Sequence, residues 1–187
     1  FFALNADDGE KLWTYDTGET IMAAANLATT GNDERIVIVG SYDNMLHGLR
    51  ASDGERLWTY KTKNYVNACA AVREGAAVFG GCDGKLHMVK PADGAFSGEI
   101  AIGSYIAASA AVAGRHAYVG DYSGKLTCVD MDALRVAWRY APGGKEFFSS
   151  PAIGEEYVII GGRDRRVHAV RRADGGVAWT FKTGDDV

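Results

Sequence analysis

The chain has 187 residues, of which 47% are hydrophobic and 24% are charged, so it is long enough to bury a sizeable core. Its net charge of −4 excludes a strong overall attraction to nucleic acid or to an anionic membrane surface. The three cysteines, Cys69, Cys82 and Cys128, lie far apart and form no Cys-x-x-Cys pair. This spacing argues against a disulfide framework and a structural zinc site, so we expect all three to fill strand positions.

The sequence also predicts no direct membrane insertion. No apolar run reaches the roughly 18 residues needed to cross a bilayer, and the first residues lack the pattern of a signal peptide. Because the chain begins with Phe1 rather than Met, the compartment stays open on these grounds.

The predicted elements repeat along the whole chain. FFALNADDGEKLW at the N-terminus recurs as LHGLRASDGERLW from residue 46, LHMVKPADGAFSG from residue 86, LTCVDMDALRVAW from residue 126 and VHAVRRADGGVAW from residue 167. A second segment repeats with the same spacing. It is a β-branched and aromatic run whose last residue is Gly40, Gly80, Gly120 or Gly161. The period therefore belongs to a complete structural unit of about 40 residues.

Each complete unit is predicted to contain four short strands. The first strand is rich in small residues, the second ends in the shared glycine, the third is the LHGL-like segment, and the fourth carries a tryptophan. Asp, Asn, Ser and Gly residues between these strands suit tight turns. Four strands per repeat without helical periodicity are typical of the blades of a β-propeller. We predict an all-β propeller of four-stranded antiparallel blades, divided at 1–20 (an outer half-blade), 21–60, 61–102, 103–142 and 143–187 of a single domain.

One position on the outermost strand is occupied by Trp13, Trp58, Trp138 and Trp179. Blades splay apart at their outer strands, and we expect each indole to act as a wedge that fills the gap between neighbouring blades. The unit 61–102 has Gly98 at this position, and Phe96, two residues earlier on the same strand face, is expected to replace part of the lost ring. The next unit has Ala133 and Leu134 where the other units have Asp-Gly.

The repeats resemble the pyrroloquinoline-quinone-like propeller family, whose consensus is roughly A-x-D-x-x-T-G-x-x-x-W. ALNADDGEKLW, GLRASDGERLW, CVDMDALRVAW and AVRRADGGVAW carry this resemblance, although they lack the consensus Thr. Such blades occur in quinoprotein dehydrogenases, in the propeller lipoprotein of the bacterial β-barrel assembly machinery, and as domains attached to kinases and adenylating enzymes.

The resemblance also carries expectations about the whole ring. Family propellers usually have seven or eight blades, so about four and a half blades imply part of a larger ring. The resemblance implies an extracytoplasmic location, in the periplasm or at the cell surface. Open blade edges would favour closure or self-association with another copy.

A quinone- and calcium-dependent dehydrogenase is the enzymatic alternative. Such relatives usually place an adjacent pair of cysteines over one face of the cofactor, and this chain has no Cys-Cys pair. Asn26, Asn64 and Asn67 are isolated and do not suggest an oxygen-ligated calcium site. We therefore predict no catalytic, cofactor-binding or metal-binding residues, with pyrroloquinoline quinone and calcium kept for the alternative. A sensor or accessory domain attached to an enzyme is a further alternative.

Three histidines share one position in the repeat, His47, His87 and His168, where other units have Thr127 and Phe2. The repeat places them in different blades, beyond the ligand distance of about 2 Å that a shared metal ion requires. We expect these rings to pack between blades.

A candidate interaction face follows from the turns and connections that a propeller gathers on one side. The turns contribute Tyr42, Cys82, Tyr122 and Arg163, and the connections contribute Lys61, Lys63, Tyr65, Tyr105 and Lys145. A rigid sheet holds such loops in place, and Tyr and Arg are enriched at interface hot spots. The arginine-rich run GRDRRVHAVRR has no interleaved aromatic residues, so it predicts no platform for single-stranded nucleic acid. We predict a non-catalytic scaffold that binds a protein partner and no nucleic acid.

Overall fold

The computed structural model describes residues 1–73 and 75–187, which form eighteen strands in five antiparallel sheets. An N-terminal hairpin contains β1 (Phe2–Leu4) and β2 (Lys11–Thr14). Blade I contains β3 (Asn26–Thr29), β4 (Arg35–Gly40), β5 (Met45–Arg50) and β6 (Arg56–Lys61). Blade II contains β7 (Ala71–Arg73), β8 (Ala76–Gly80), β9 (Lys85–Val89) and β10 (Phe96–Ala101). Blade III contains β11 (Ala111–Ala113), β12 (His116–Gly120), β13 (Leu126–Asp130) and β14 (Arg135–Tyr140). Blade IV contains β15 (Ala152–Ile153), β16 (Tyr157–Gly162), β17 (Arg166–Arg171) and β18 (Val177–Lys182).

The blades have the topology that the repeat predicts. In every blade the strands pair in chain order, each antiparallel to the next. The first strands of successive blades contact one another, β3 with β7, β7 with β11 and β11 with β15, so they lie on the inner side of the arc. The predicted all-β propeller with four-stranded blades is confirmed, and the N-terminal half-blade is the hairpin of β1 and β2.

Small residues two positions before the first strands allow a direct link between blades. The backbone N–H of Cys69 donates to Oγ of Ser109 at 3.0 Å, and the N–H of Ser109 donates to Oγ of Ser150 at 3.2 Å. These three residues occupy equivalent positions about 40 residues apart. Each serine therefore satisfies a backbone donor of the preceding blade, which a bulky side chain would prevent.

The hydrophobic core is divided among the interfaces between adjacent blades, which are called joints below. One buried cluster, for example, combines Val78 and Met88 of blade II with Val119 and Val129 of blade III. Further clusters join blade I with blade II and blade III with blade IV. Each blade is therefore stabilised mainly by burying its two faces against its neighbours.

Three of the four tryptophans lie against a glycine in the next blade. Trp13, Trp58 and Trp138 pack on Gly54, Gly94 and Gly175, where an added β-carbon would lie 2.5 to 2.7 Å from an indole atom. Their Nε1 atoms donate to the carbonyls of Ala51, Pro91 and Arg172 at 3.0, 2.9 and 2.9 Å. Trp13 and Trp58 are each only 8% exposed, whereas Trp179, on the last strand, is 48% exposed. Each of the three indoles that has a following blade in the described chain thus fills the gap between two blades.

The joint between blades II and III uses a different wedge. Cδ2 of Leu134 would lie 2.7 Å from a β-carbon at Gly98, so the leucine reaches into the space that an indole takes elsewhere. Leu134 has φ of 50°, the left-handed conformation that glycine adopts in the equivalent turns. The expectation that Phe96 replaces the ring is wrong, because its side chain is 60% exposed. The register between β10 and β9 shifts between Phe96 and Gly98, so the two residues do not share a strand face.

Candidate interaction face

Each connection between blades runs between the turns of the two blades that it joins. Between blades I and II, the N–H of Val66 donates to the carbonyl of Ser41 in the turn of blade I at 3.1 Å. The carbonyl of Tyr65 accepts the N–H of Cys82 in the turn of blade II at 3.0 Å. Equivalent bonds join Tyr122 to Tyr105 at 3.0 Å and Arg163 to Glu146 at 3.1 Å. The predicted turn and connection residues are therefore brought together by backbone bonds.

A first aromatic patch consists of Tyr42 and Tyr65. Their rings stack with centroids 4.5 Å apart and an interplanar angle of 7°. Tyr42 is half-buried and Tyr65 is exposed. One tyrosine thus supports the other, and the outer ring presents a flat surface held in one orientation.

A second aromatic patch consists of Tyr105, Tyr122, Phe148 and Arg163. The rings of Tyr105 and Tyr122 meet edge to face at 6.0 Å, and those of Tyr122 and Phe148 lie 4.5 Å apart. Cζ of Arg163 lies 4.7 Å above the ring of Phe148, a cation–π arrangement. Phe148 links the predicted members of this patch, and sequence reasoning missed it. A signal existed, since Phe148 is the one aromatic residue at this position, where blades I, II and III have Met22, Asn67 and Ala107.

Cys82 lies in the turn between β8 and β9, between the two aromatic patches in chain order. The expectation that all three cysteines fill strand positions is therefore right only for Cys128, because Cys69 also lies outside a strand, just before β7. Sγ of Cys82 accepts a hydrogen bond from Nδ2 of Asn67 at 3.3 Å. Burial, followed by the nearby carboxylate of Asp83, raises the pKa of the Cys82 thiol. The predicted face is therefore two patches with a neutral thiol between them.

The predicted lysines lie elsewhere on this side of the arc. Lys61 and Lys63 line a shallow cavity of about 330 Å³, together with Lys85 and Glu99. Lys85 and Glu99 form an ion pair there. Lys145 is exposed in the connection that leads into blade IV. None of these lysines takes part in the ring and cation–π contacts that define the two patches in residues 1–73 and 75–187.

The arginine-rich run does not form a single basic patch. Arg163 and Arg165 lie 3.6 and 3.9 Å from the carboxylate of Asp186. At the other end of β17, Arg171 bonds the carboxylate of Asp174 at 3.1 Å. Three of the five arginines are therefore paired with carboxylates, at opposite ends of one strand, which favours a solvated surface over an anion site.

The three aligned histidines form buried bridges between blades, a feature that sequence reasoning recognised only in part. Their Nδ1 atoms lie 3.0, 3.4 and 3.0 Å from the hydroxyls of Tyr15, Tyr60 and Tyr140 in the preceding blade or hairpin. Their Nε2 atoms lie 3.0, 3.0 and 3.1 Å from the carboxylates of Asp43, Asp83 and Asp164. A carboxylate accepts only, so Nε2–H donates to aspartate and Nδ1 accepts from the tyrosine hydroxyl.

These Tyr–His–Asp bridges are structural. They occur at three joints, and burial lowers the pKa of His47 although Asp43 opposes the shift. At the joint between blades II and III the equivalent residues are Ile100, Thr127 and Ser123, so all three members are replaced together. The signal in the sequence was an aspartate four residues before each of these histidines and a tyrosine two residues after Trp13, Trp58 and Trp138.

The three asparagines considered for an oxygen-ligated calcium site make hydrogen bonds within the protein. The side-chain amides of Asn26, Asn64 and Asn67 donate separately to Ala70 and Cys82. Across residues 1–73 and 75–187, no three His, Cys, Asp or Glu side chains are grouped closely enough to hold a metal ion. In that same part of the chain, no helix has the length and apolar character to cross a membrane.

Comparison with known proteins gives both a family and a fold. The family model described as outer membrane protein assembly factor BamB matches residues 1–105 and 103–186. Among curated proteins, none matches this sequence.

Two solved structures share the arrangement of blades. BamB from Moraxella catarrhalis matches with a TM-score of 0.80 and 22% identity, over 99% of this chain and 58% of that one. The computationally designed Ika8 protein matches with a TM-score of 0.75 and 17% identity, over 97% of this chain and 52% of that one. The chain thus spans little more than half the length of either protein.

Proposed function

Because the chain belongs to the family described as outer membrane protein assembly factor BamB, we propose that it is a non-catalytic scaffold that binds protein partners. The observation that carries this proposal is the pair of aromatic patches on the turn side of the blades. The family name also supports a location outside the cytoplasm, with partners drawn from the proteins that assemble the outer membrane.

The geometry of the patches suits protein binding. Tyr65, Tyr105 and Tyr122 are exposed, yet each has an aromatic neighbour. Their backbones are held by hydrogen bonds between turns and connections, so little conformational freedom remains to be lost on binding. Exposed rings that are already ordered are the usual centres of binding energy at interfaces.

The proposal gives quinone and calcium no role in this chain. The exposed groups of the face are phenol rings, a phenyl ring and a guanidinium, which suit recognition of a protein surface.

Paired substitutions test the face. Capture of envelope proteins by the intact chain should fall about tenfold or more in Tyr42→Ala/Tyr65→Ala or in Tyr122→Ala/Phe148→Ala. The first pair removes the whole of one patch, and the second removes the two rings that join the members of the other. Phe96→Ala removes an exposed ring from the outer strand of blade II and should leave capture unchanged. Circular dichroism checks that each variant is folded.

Two results would contradict the proposal. Unchanged recovery of the same partners by both paired variants would show that binding uses another surface. Saturable binding of pyrroloquinoline quinone and calcium, measured by calorimetry on the intact chain, would favour the dehydrogenase alternative.

A further inference from the structure

Acidic and basic side chains lie at different depths on the turn side of the blades. The turn between the second and third strands contains an aspartate in each blade, namely Asp43, Asp83, Asp121 and Asp164. Three of these carboxylates bond a histidine of the same blade, and that of Asp121 accepts the backbone N–H groups of Ser123 and Lys125 at 2.8 and 3.2 Å. All four aspartates are buried or half-buried. The acids of the turns are therefore held within the fold.

Several basic side chains of the same side are exposed. Lys61, at the end of β6, and Lys63 and Lys145, in connections between blades, are exposed to solvent. Within residues 1–73 and 75–187 none of these three forms an ion pair. Glu99 shares the cavity of Lys61 and Lys63, but its carboxylate is paired with Lys85. The turn side therefore keeps unpaired positive charge, although the whole chain carries −4.

The first aromatic patch adjoins the cavity that contains Lys61 and Lys63. Tyr65 follows Lys63 by two residues in the same connection, and the N–H of Lys63 donates to the carboxylate of Asp83 at 3.4 Å. This bond helps to fix the connection against the turn of blade II, so the lysines stay close to the stacked tyrosines. The cavity of about 330 Å³ is large enough for one carboxylate side chain.

The second aromatic patch has cations of its own. The guanidinium of Arg163 lies over Phe148 and its side chain is 48% exposed, so it is open to a planar carboxylate. Lys145 lies three residues before Phe148 in the same connection. Asp186, 3.6 Å from Arg163, and the half-buried Glu146 offset part of this charge. Unpaired positive charge is therefore greater at the first patch than at the second.

Building on the proposed function, on which this inference rests, we propose that the partner of this face is an acidic protein segment whose Asp or Glu side chains flank aromatic or aliphatic ones. The apolar side chains of the segment pack on the rings of Tyr65 and Tyr122. Its carboxylates pair with Lys61, Lys63 and Arg163. The rings supply most of the binding energy, and the cations select acidic sequences and speed their association.

The same charges do not suit a nucleic acid. A phosphate backbone carries a charge on every nucleotide and is held by a row of closely spaced cations, whereas each aromatic patch has only a few beside it. The net charge of −4 also repels a polyanion more strongly than a segment with a few carboxylates. A short acidic segment of a protein is therefore the occupant that fits both the rings and the cations.

Fluorescence anisotropy with labelled synthetic peptides tests the charge requirement on the intact chain. The probe is a soluble peptide of about 12 residues with a glutamate on each side of every tyrosine, and two counterparts carry glutamine or lysine in place of glutamate. The chain should bind the glutamate peptide at least about tenfold more tightly than the glutamine peptide, and the lysine peptide least of all. The difference should shrink as the NaCl concentration rises from about 50 to 500 mM, because salt screens exposed charges.

A pair of lysine substitutions locates the charges. Lys61→Gln/Lys63→Gln should weaken binding of the glutamate peptide about tenfold and leave the glutamine peptide unaffected, because the tyrosines remain in place. Lys11→Gln/Lys90→Gln is the matched control, since it changes the net charge equally at exposed lysines close to the turns between third and fourth strands. The control should bind the glutamate peptide like the unchanged chain, and circular dichroism checks that both variants are folded.

Three results would overturn the acidic partner: no binding of the glutamate peptide at about 1 mM, equal affinity for all three peptides, or equal weakening by the two lysine pairs. Tighter binding of an oligothymidylate of about 12 nucleotides than of the glutamate peptide would also overturn it, in favour of a nucleic acid. The proposed function fails separately. It survives these results if the paired aromatic variants still lose capture of envelope proteins, and it fails if they do not.

Discussion

At the scale of single residues, the joint between blades II and III shows that the side chain filling the gap can come from either blade. Elsewhere a tryptophan reaches forward onto a glycine, as Trp58 does with Gly94. Here Gly98 replaces the tryptophan and Leu134 replaces the glycine, so the leucine reaches backward into the same space. Two departures 36 residues apart in the sequence are therefore one compensated exchange.

A double-mutant cycle measures this compensation. Gly98→Trp alone should destabilise the chain by about 1–3 kcal/mol, because the indole would overlap Leu134. Adding Leu134→Gly restores the arrangement of the other joints and should recover most of that loss, with a coupling energy of at least about 1 kcal/mol. Urea unfolding of the four variants gives the cycle, and strictly additive effects would show that the two residues do not share a space.

At the scale of elements, the second strand of each blade ends in glycine because the next connection crosses it closely. A β-carbon at Gly80 would overlap the side chain of Ile106, and one at Gly40 would overlap Val66. The same residues, Val66 and Ile106, donate backbone N–H groups to the adjoining turns. The repeated glycine therefore fixes the path along which connections reach the interaction face.

Replacing such a glycine should loosen the joint. Gly80→Ala is expected to lower the free energy of unfolding by about 1–3 kcal/mol, because Ile106 must shift within a filled core. Gly31→Ala is the control, since a β-carbon at Gly31 meets no atom within 4 Å, and it should change stability by less than about 0.5 kcal/mol. Equal urea midpoints for the two variants would contradict the close crossing.

At the scale of the whole molecule, the core is a series of joints and each blade depends on its neighbours. The reactivity of the Cys128 thiol can be used to follow the opening of one of these joints. Cys128 lies in the middle of β13, is 1% exposed and belongs to the cluster between blades III and IV. Burial raises the pKa of its thiol to about 11, so the reactive thiolate is scarce at neutral pH.

Labelling of the Cys128 thiol should therefore require that blade III unfolds. In a Cys69→Ala/Cys82→Ala chain, Cys128 should react at pH 8 about 100-fold more slowly than an unburied thiol, since its pKa lies about two units higher. The labelling rate should rise through the same urea range as the loss of circular dichroism. Fast labelling before that transition would show that the joint opens by itself.

Much of this architecture was determined by the sequence alone. The four-stranded blades follow from the 40-residue period and the turn residues, because strand length and turn chemistry are local properties. The turn side of the blades, with Tyr42, Tyr65, Tyr105 and Tyr122, was also placed from repeat equivalence.

Only the tertiary structure decided which residues meet across a joint. The entry of Phe148 into the second aromatic patch, the tyrosine and aspartate partners of the histidines, and the exchange between Gly98 and Leu134 all join different blades or distant segments. Such contacts depend on how far apart two sheets sit and on the bulge that turns Phe96 outward, and neither distance nor bulge is encoded in a local pattern. Repetition specifies the blade, and packing between blades decides what each repeated position does.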